Sequence, residues 1–314
     1  MKNTMRFFGA LIGCLVAYLA FWPVSVRPVS WDAPENIGYT GAFTPNSRLE
    51  TLELVGLDGR TGPEDADVSP DGLIYVATHE GEVLRIETDG AVTSFVQTQG
   101  RPLGLEFAAD GTLYVADAYR GLLAVDEVGQ VTLLSDQVED GSPILYADDV
   151  DIAADGTVYF SDASTRFGAA EIGGTLAASV LDLVEHSSSG RILKYDPVSG
   201  KTSVFADGLN FANGVAVNEE SNAVFVVETG AYRIWRFPIG GGAGQVVLDN
   251  LPGFPDNINN APDGTFWVGL VSPRNAIMDR LSNAPFLRRV IMRLPDGMKP
   301  APTRYGFILR MDAD

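Results

Sequence analysis

Two histidines and one cysteine among 314 residues leave little from which to build a conventional zinc site. A single cysteine, Cys14, also excludes an intramolecular disulfide, so the fold must hold without one. Basic residues are scarce as well: 22 Lys and Arg face 41 Asp and Glu, a net charge of -19. That balance excludes nucleic acid as a partner, because phosphate binding needs a basic surface. A neutral or cationic partner, or a metal ion, is easier to accommodate, although the same charge also serves plain solubility. No Gly-x-Ser-x-Gly elbow occurs, which argues against a serine hydrolase. Ser199-Gly200-Lys201-Thr202 ends like a phosphate loop, yet Tyr195 stands where the required glycine should be, and Gly240 to Gly244 opens no helix.

One charge-free, mostly apolar run is present, Phe7 to Val26, preceded by Lys2 and Arg6. Its length of about 20 residues suits a bilayer span. Basic residues before it place the N-terminus in the cytoplasm and the rest of the chain on the periplasmic or extracytoplasmic side. Tyr18, Phe21, Trp22 and Pro23 form an interfacial flank without a clear small-x-small cleavage site, so residues 1–26 are expected to be an uncleaved signal anchor, with cleavage as the alternative. Leu11-Ile12-Gly13-Cys14 resembles a lipidation box, but the apolar residues after Cys14 do not fit a lipoprotein tether. Residues 27–47, with Pro28, Pro34 and Pro45, are expected to be a linker or an irregular lead-in.

The remainder, 48–314, is repetitive. Apolar second strands are expected at Leu73–Ala77, Thr112–Ala116, Thr157–Ser161, Ala223–Val227 and Thr265–Gly269. Third strands follow at Gly81–Ile86, Gly121–Val125, Gly190–Tyr195, Tyr232–Phe237 and Tyr305–Met311, and fourth strands such as Ala91–Val96 and Lys201–Phe205 close most units. Four short antiparallel strands per unit describe a β-propeller blade. The fold class is therefore all-β, a six-bladed propeller with about five blades present and the sixth missing beyond Arg310–Asp314. Leu49–Val55 would close the ring in a complete relative. Two connections between second and third strands are enlarged, Ser164–Ser189 and Ser272–Arg304, with helical spacing at Leu176–Glu185 and Asn275–Met292, and both are expected to cover one face as lids.

Seven residues before the Asp of each Asp-Gly turn at Asp71, Asp110, Asp155 and Asp263 stand Glu64, Leu103, Asp148 and Asp256; a degraded turn, Asn218-Glu219-Glu220-Ser221, gives Asn213. Blades related by rotation bring equivalent positions to one axis. Glu64, Asp148, Asn213 and Asp256 are hard oxygen donors suited to calcium or a similar ion, with Leu103 an apolar wall. Three carboxylates at one axis repel unless a cation sits among them. The alternative is that each residue caps its own turn. The following positions are Asp65, Gly104, Asp149, Gly214 and Asn257. Asn257 is a candidate extra ligand, and Asp65 and Asp149 are candidates for a second ion. His79, Asp117, Asp162 and Glu228, at the ends of second strands, are candidate pocket-rim groups, and His186 in the first lid is expected at the surface.

Gly62-Pro63-Glu64, Ala147-Asp148-Asp149, Phe211-Ala212-Asn213-Gly214-Val215-Ala216, Pro255-Asp256-Asn257 and Gly190-Arg191-Ile192-Leu193-Lys194-Tyr195-Asp196 resemble the strictosidine-synthase-like and adipocyte plasma membrane-associated protein branch of the calcium-dependent six-bladed propellers. Gluconolactonases, regucalcin and paraoxonases are more distant members. The resemblance implies a hydrolase of lactones or aryl esters with calcium at the base of a pocket. It implies Glu64, Asn213 and Asp256 as ligands, Asp148 as a ligand or supporting group, and Asn257 as an extra one. The paraoxonase histidine does not transfer, since Leu103 stands in its place, and the glutamate that plant strictosidine synthases use belongs to the sixth blade. The expected chemistry is polarisation of the substrate carbonyl by the ion, with Asp256, or else Asp148, activating water. A condensing enzyme without a metal, and a non-catalytic binding propeller with a structural ion, remain open as alternatives.

Overall fold

A computed structural model describes residues 2–49 and 51–313; Met1, Glu50 and Asp314 of the expected segments lie outside them. After α1 (Lys2–Phe21) the chain forms five antiparallel sheets in sequence order. Blade 1 is β1 (Ala66–Val68), β2 (Ile74–Ala77), β3 (Glu82–Ile86) and β4 (Val92–Gln97). Blade 2 is β5 (Pro102–Phe107), β6 (Leu113–Asp117), β7 (Gly121–Val125) and β8 (Val131–Ser135). Blade 3 has β9 (Ala147–Ile152), β10 (Val158–Asp162), the helices α2 (Ala169–Ile172) and α3 (Thr175–Glu185), then β11 (Gly190–Asp196) and β12 (Lys201–Leu209). Blade 4 is β13 (Ala212–Asn218), β14 (Ala223–Glu228), β15 (Arg233–Pro238) and β16 (Gln245–Leu248). Blade 5 has β17 (Gly253–Asn260), β18 (Phe266–Pro273), α4 (Ala276–Arg280), α5 (Pro285–Met292) and β19 (Phe307–Met311). Described residues 51–55 form no strand; Leu49–Val55 is the segment that would close the ring only in a complete relative.

The Asp-Gly turns form for local reasons. Asp110 and Asp155 each accept, through Oδ1, the backbone N–H two residues on, at 3.0 and 2.9 Å. Gly111 and Gly156 follow at φ +88° and +84°, a region that only glycine enters without strain. In the degraded turn, Asn218 Oδ1 accepts from Ser221 N and Asn222 takes the positive φ.

Hydrophobic cores lie between neighbouring blades, which is why the second strands are apolar on both faces. Tyr75 and Val83 of blade 1 pack with Leu105 and Leu123 of blade 2. Phe225 of blade 4 meets Phe266 of blade 5 with ring centroids 4.5 Å apart. Burial of each such side chain contributes about 1.5–3 kcal/mol.

Residues 27–47 are not a free linker. Val29 N donates to Glu185 O and Trp31 N to Ser282 O, while Tyr39 packs against Tyr305 and Phe307. The segment is a strap laid between the two insertions, held because its backbone finds partners there that water would otherwise supply.

Candidate functional site

The inner strand of blades 2 to 5 carries a bulge at the ring position. Pairing of β5 with β6 skips between Pro102 and Leu105, of β9 with β10 between Ala147 and Val150, of β13 with β14 between Ala212 and Val215, and of β17 with β18 between Pro255 and Ile258. The skipped pairs are Leu103-Gly104, Asp148-Asp149, Asn213-Gly214 and Asp256-Asn257. An extra residue at this point bends the strand and turns its side chain toward the axis. In blade 1, Glu64 N and Asp65 O pair with Ala77 at the equivalent place.

Glu64, Leu103, Asp148, Asn213 and Asp256 accordingly line one cavity of about 520 Å³. Asn213 Nδ2 donates to Asp256 Oδ1 at 2.5 Å, which leaves Asn213 Oδ1 without a partner. Glu64 Oε2 and Asn257 Oδ1 are likewise buried and unpartnered, while Asn257 Nδ2 donates to Glu64 O. Three orphaned oxygens beside two further carboxylates fit a hard cation, since an unmet buried acceptor is costly and carboxylate and carbonyl oxygens suit calcium. Among the described residues no group of three or more His, Cys, Asp or Glu side chains lies close enough together to hold a metal ion; two of the three orphaned oxygens are the amide oxygens of Asn213 and Asn257.

Burial, then mutual repulsion, raises the ring carboxyls. Glu64 is held well above the usual carboxylate range by desolvation and by Asp148 and Asp256; Asp148 is raised by desolvation and Asp256, with Arg101 opposing. Asp256 rises to about 6 by burial, opposed by its bond from Asn213.

One position deeper the chemistry differs. Asp65 Oδ2 accepts from Leu105 N of blade 2 at 3.0 Å, and Asp149 Oδ2 accepts from Val215 N of blade 4 at 2.8 Å. Asp149 Oδ1 takes Val150 N, and Asp65 Oδ1 takes Asn259 Nδ2. These carboxylates, two candidates for a second ion, spend their oxygens tying blade to blade. Glycine alternates with them because the next blade presses in: a Cβ on Gly104 would lie 2.6 Å from Asp149 Cα, and one on Gly214 2.6 Å from Ile258 N.

The four expected rim groups are not brought to the cavity. His79 is exposed on blade 1. Asp117, Asp162 and Glu228 are fully buried. They accept the backbone N–H of Arg101, Tyr146 and Asn210, each at 2.9 Å, and so fix the lead into each ring strand. Arg191 and Arg233 balance Asp162 and Glu228. His186 is not at the surface: it is buried and stacks on Trp31 with centroids 4.0 Å apart, and burial together with Arg288 and Arg233 pushes it down to about 3.

The lining also includes Arg101, Tyr146, Phe211 and Phe254, which the sequence reading missed. Each stands two residues before a ring member, so the spacing that found the ring also pointed to them, although Phe211, at φ +59°, is not in extended chain. Trp31 comes from the strap, where no periodicity could flag it.

Comparisons with known proteins bear on the fold and the family. A family model described as strictosidine synthase matches residues 148–242, and another, strictosidine synthase-like N-terminal, matches 41–86. Protein STRICTOSIDINE SYNTHASE-LIKE 6 of Arabidopsis thaliana is 30% identical over 100% of this chain and 85% of its own length. Adipocyte plasma membrane-associated protein of Bos taurus is 32% identical over 96% of this chain and 76% of its own. A gluconolactonase from Xanthomonas campestris shares the fold at TM-score 0.58 and 20% identity, over 69% of this chain and 72% of that one. A calcium-binding regucalcin from Agrobacterium tumefaciens does so at TM-score 0.51 and 18% identity, over 66% and 67%. The chain belongs to the strictosidine synthase-like family of β-propellers.

Proposed function

We propose that this chain is a calcium-dependent hydrolase of lactones or aryl esters, anchored in a membrane by α1 with the propeller on the periplasmic or extracytoplasmic side. The observation that carries it is the pair of unpartnered oxygens Glu64 Oε2 and Asn213 Oδ1 on residues that line one largely apolar cavity, with unpartnered Asn257 Oδ1 on the residue after Asp256. Glu64, Asp148, Asn213, Asp256 and Asn257 would hold the ion. Bound there, it supplies Lewis acidity toward a carbonyl oxygen and neutralises the ring's charge. Among the chain's own groups, Asp256 is the first choice to take a proton from water, because Asn213 engages only its Oδ1. Asp148 is the second choice. Leu103, Phe211 and Phe254 hold the apolar part of an ester and keep bulk water out.

The test is turnover of aryl acetates and of γ- and δ-lactones by the full chain in detergent, with calcium, with chelator, and as Asp256→Ala. Activity that ignores both chelator and substitution sinks this reading. The strictosidine synthase match over 148–242 favours a condensing reading instead, which the same protein would reveal by joining an amine to an aldehyde without calcium. Should nothing turn over while chelation still lowers Tm, the ion is structural.

A further inference from the structure

The second insertion, 272–306, stands apart chemically from the rest of the chain. It carries seven basic residues against two acidic ones in a protein of net charge -19. Arg280, Arg289 and Arg304 are exposed, and beside them Phe286, Leu287 and Met298 are 49%, 45% and 66% exposed. Cations interleaved with bare apolar side chains suit the headgroup layer of an anionic bilayer.

The insertion is also fastened to the end of α1. Arg293, just past α5, donates through Nε to Trp22 O at 2.5 Å and through Nη1 to Leu19 O at 2.9 Å, and Tyr18 OH donates to Arg293 O. The last carbonyls of a helix lack partners within it, so a cation here both satisfies them and complements the helix dipole. At 20 residues α1 is about 30 Å long, matching the hydrocarbon core, and exposed Tyr18, Phe21 and Trp22 mark its interfacial end. An insertion tied to that end is held at headgroup depth. Leu176 of the first insertion, Val271 near the end of β18 and Ile277 of the second insertion line the cavity and are exposed, and so mark its mouth.

We infer that segment 276–304 is a seating surface for the anionic leaflet into which α1 inserts, so that the cavity mouth rests against the headgroups. This rests on the reading of α1 as a membrane anchor, and the test separates the two. The full chain is reconstituted in vesicles of phosphatidylcholine, with or without phosphatidylglycerol, and a fluorophore is attached at one cysteine at a time. At native Cys14, quenching by spin-labelled lipid reports insertion. In a Cys14→Ser background, Met298→Cys and Phe286→Cys report seating, with Val198→Cys, 95% exposed at a far turn of blade 3, as the control. Expected are quenching at positions 14, 298 and 286 and none at 198, stronger with phosphatidylglycerol and weakened by salt. Joint reversal of Arg280, Arg289 and Arg304 to Glu should lower the seated-to-lifted ratio on the order of 10²-fold. Quenching at 14 with positions 298 and 286 as unquenched as 198 overturns the seating while leaving the anchor. No quenching at 14 overturns both. Amide exchange across 276–304, slowed by anionic lipid in the unlabelled protein, checks that the labels did not create the contact; equal exchange with and without it contradicts the inference.

Discussion

Two acidic layers share the axis of this propeller, one residue apart, and they do opposite things with the same functional group. In the upper layer Glu64 and Asn213 present oxygens that nothing in the chain satisfies, and Asn257, one residue beyond Asp256, presents a third. In the lower layer Asp65 and Asp149 hand both oxygens to N–H groups, chiefly on the neighbouring blade. What separates a candidate metal ligand from a structural staple is therefore the supply of donors around a carboxylate; in blade 3 the bulge sends Asp148 to the cavity and Asp149 to Val215 N of blade 4.

The sharpest way to break the comparison is by exchange of phenotypes. Asp256→Ala in the upper layer should cost on the order of 10²–10⁴ in kcat/KM while the chelated protein keeps its Tm, measured by ester hydrolysis alongside calorimetry. Asp149→Ala in the lower layer should instead strand Val215 N and Val150 N and destabilise by on the order of 2 kcal/mol with or without calcium, seen in denaturant unfolding. If the two variants behaved alike, the division between layers would be lost.

A pH series sharpens it further. Asp256, and Asp151 farther along β9 where it accepts from Val217 N, are raised to about 6 and about 7, mainly by burial, against an unfolded value of about 4. A carboxyl raised on folding favours the native state while protonated, so this contribution is present below about pH 4 and lost as pH rises through the folded value. Tm of the chelated protein should fall between pH 5 and 8, and the increment added by calcium should grow over the same window, because ligands must lose protons to bind. A calcium increment independent of pH would contradict the ring as its source. The smallest expected effect belongs to the strap: Trp31→Ala should raise KM a few-fold with kcat nearly unchanged, as the loss of binding that substrate and transition state share.

How far the sequence alone reached can be judged residue by residue. The blades were legible because period-two alternation and Asp-Gly turns report local geometry, and the ring was legible because rotation repeats one offset. The lower layer was not, since Asp149 looks the same in sequence whether it faces an ion or Val215 N; the alternating Gly104 and Gly214 were the available sign of close blade packing. Asp117, Asp162 and Glu228 ended on the right side of the sheet yet turned inward to backbone donors. Strap and lids depend on contacts such as Trp31 on His186, between residues far apart in sequence, which no periodicity encodes.

Calcium titration calorimetry on the full chain in detergent tests the central claim most directly. One calcium site should be present in the wild type and in Asp65→Asn, and lost in Glu64→Gln and Asn213→Ala. Binding that survives both upper-layer substitutions, or that disappears with Asp65→Asn while the fold is intact, would contradict it.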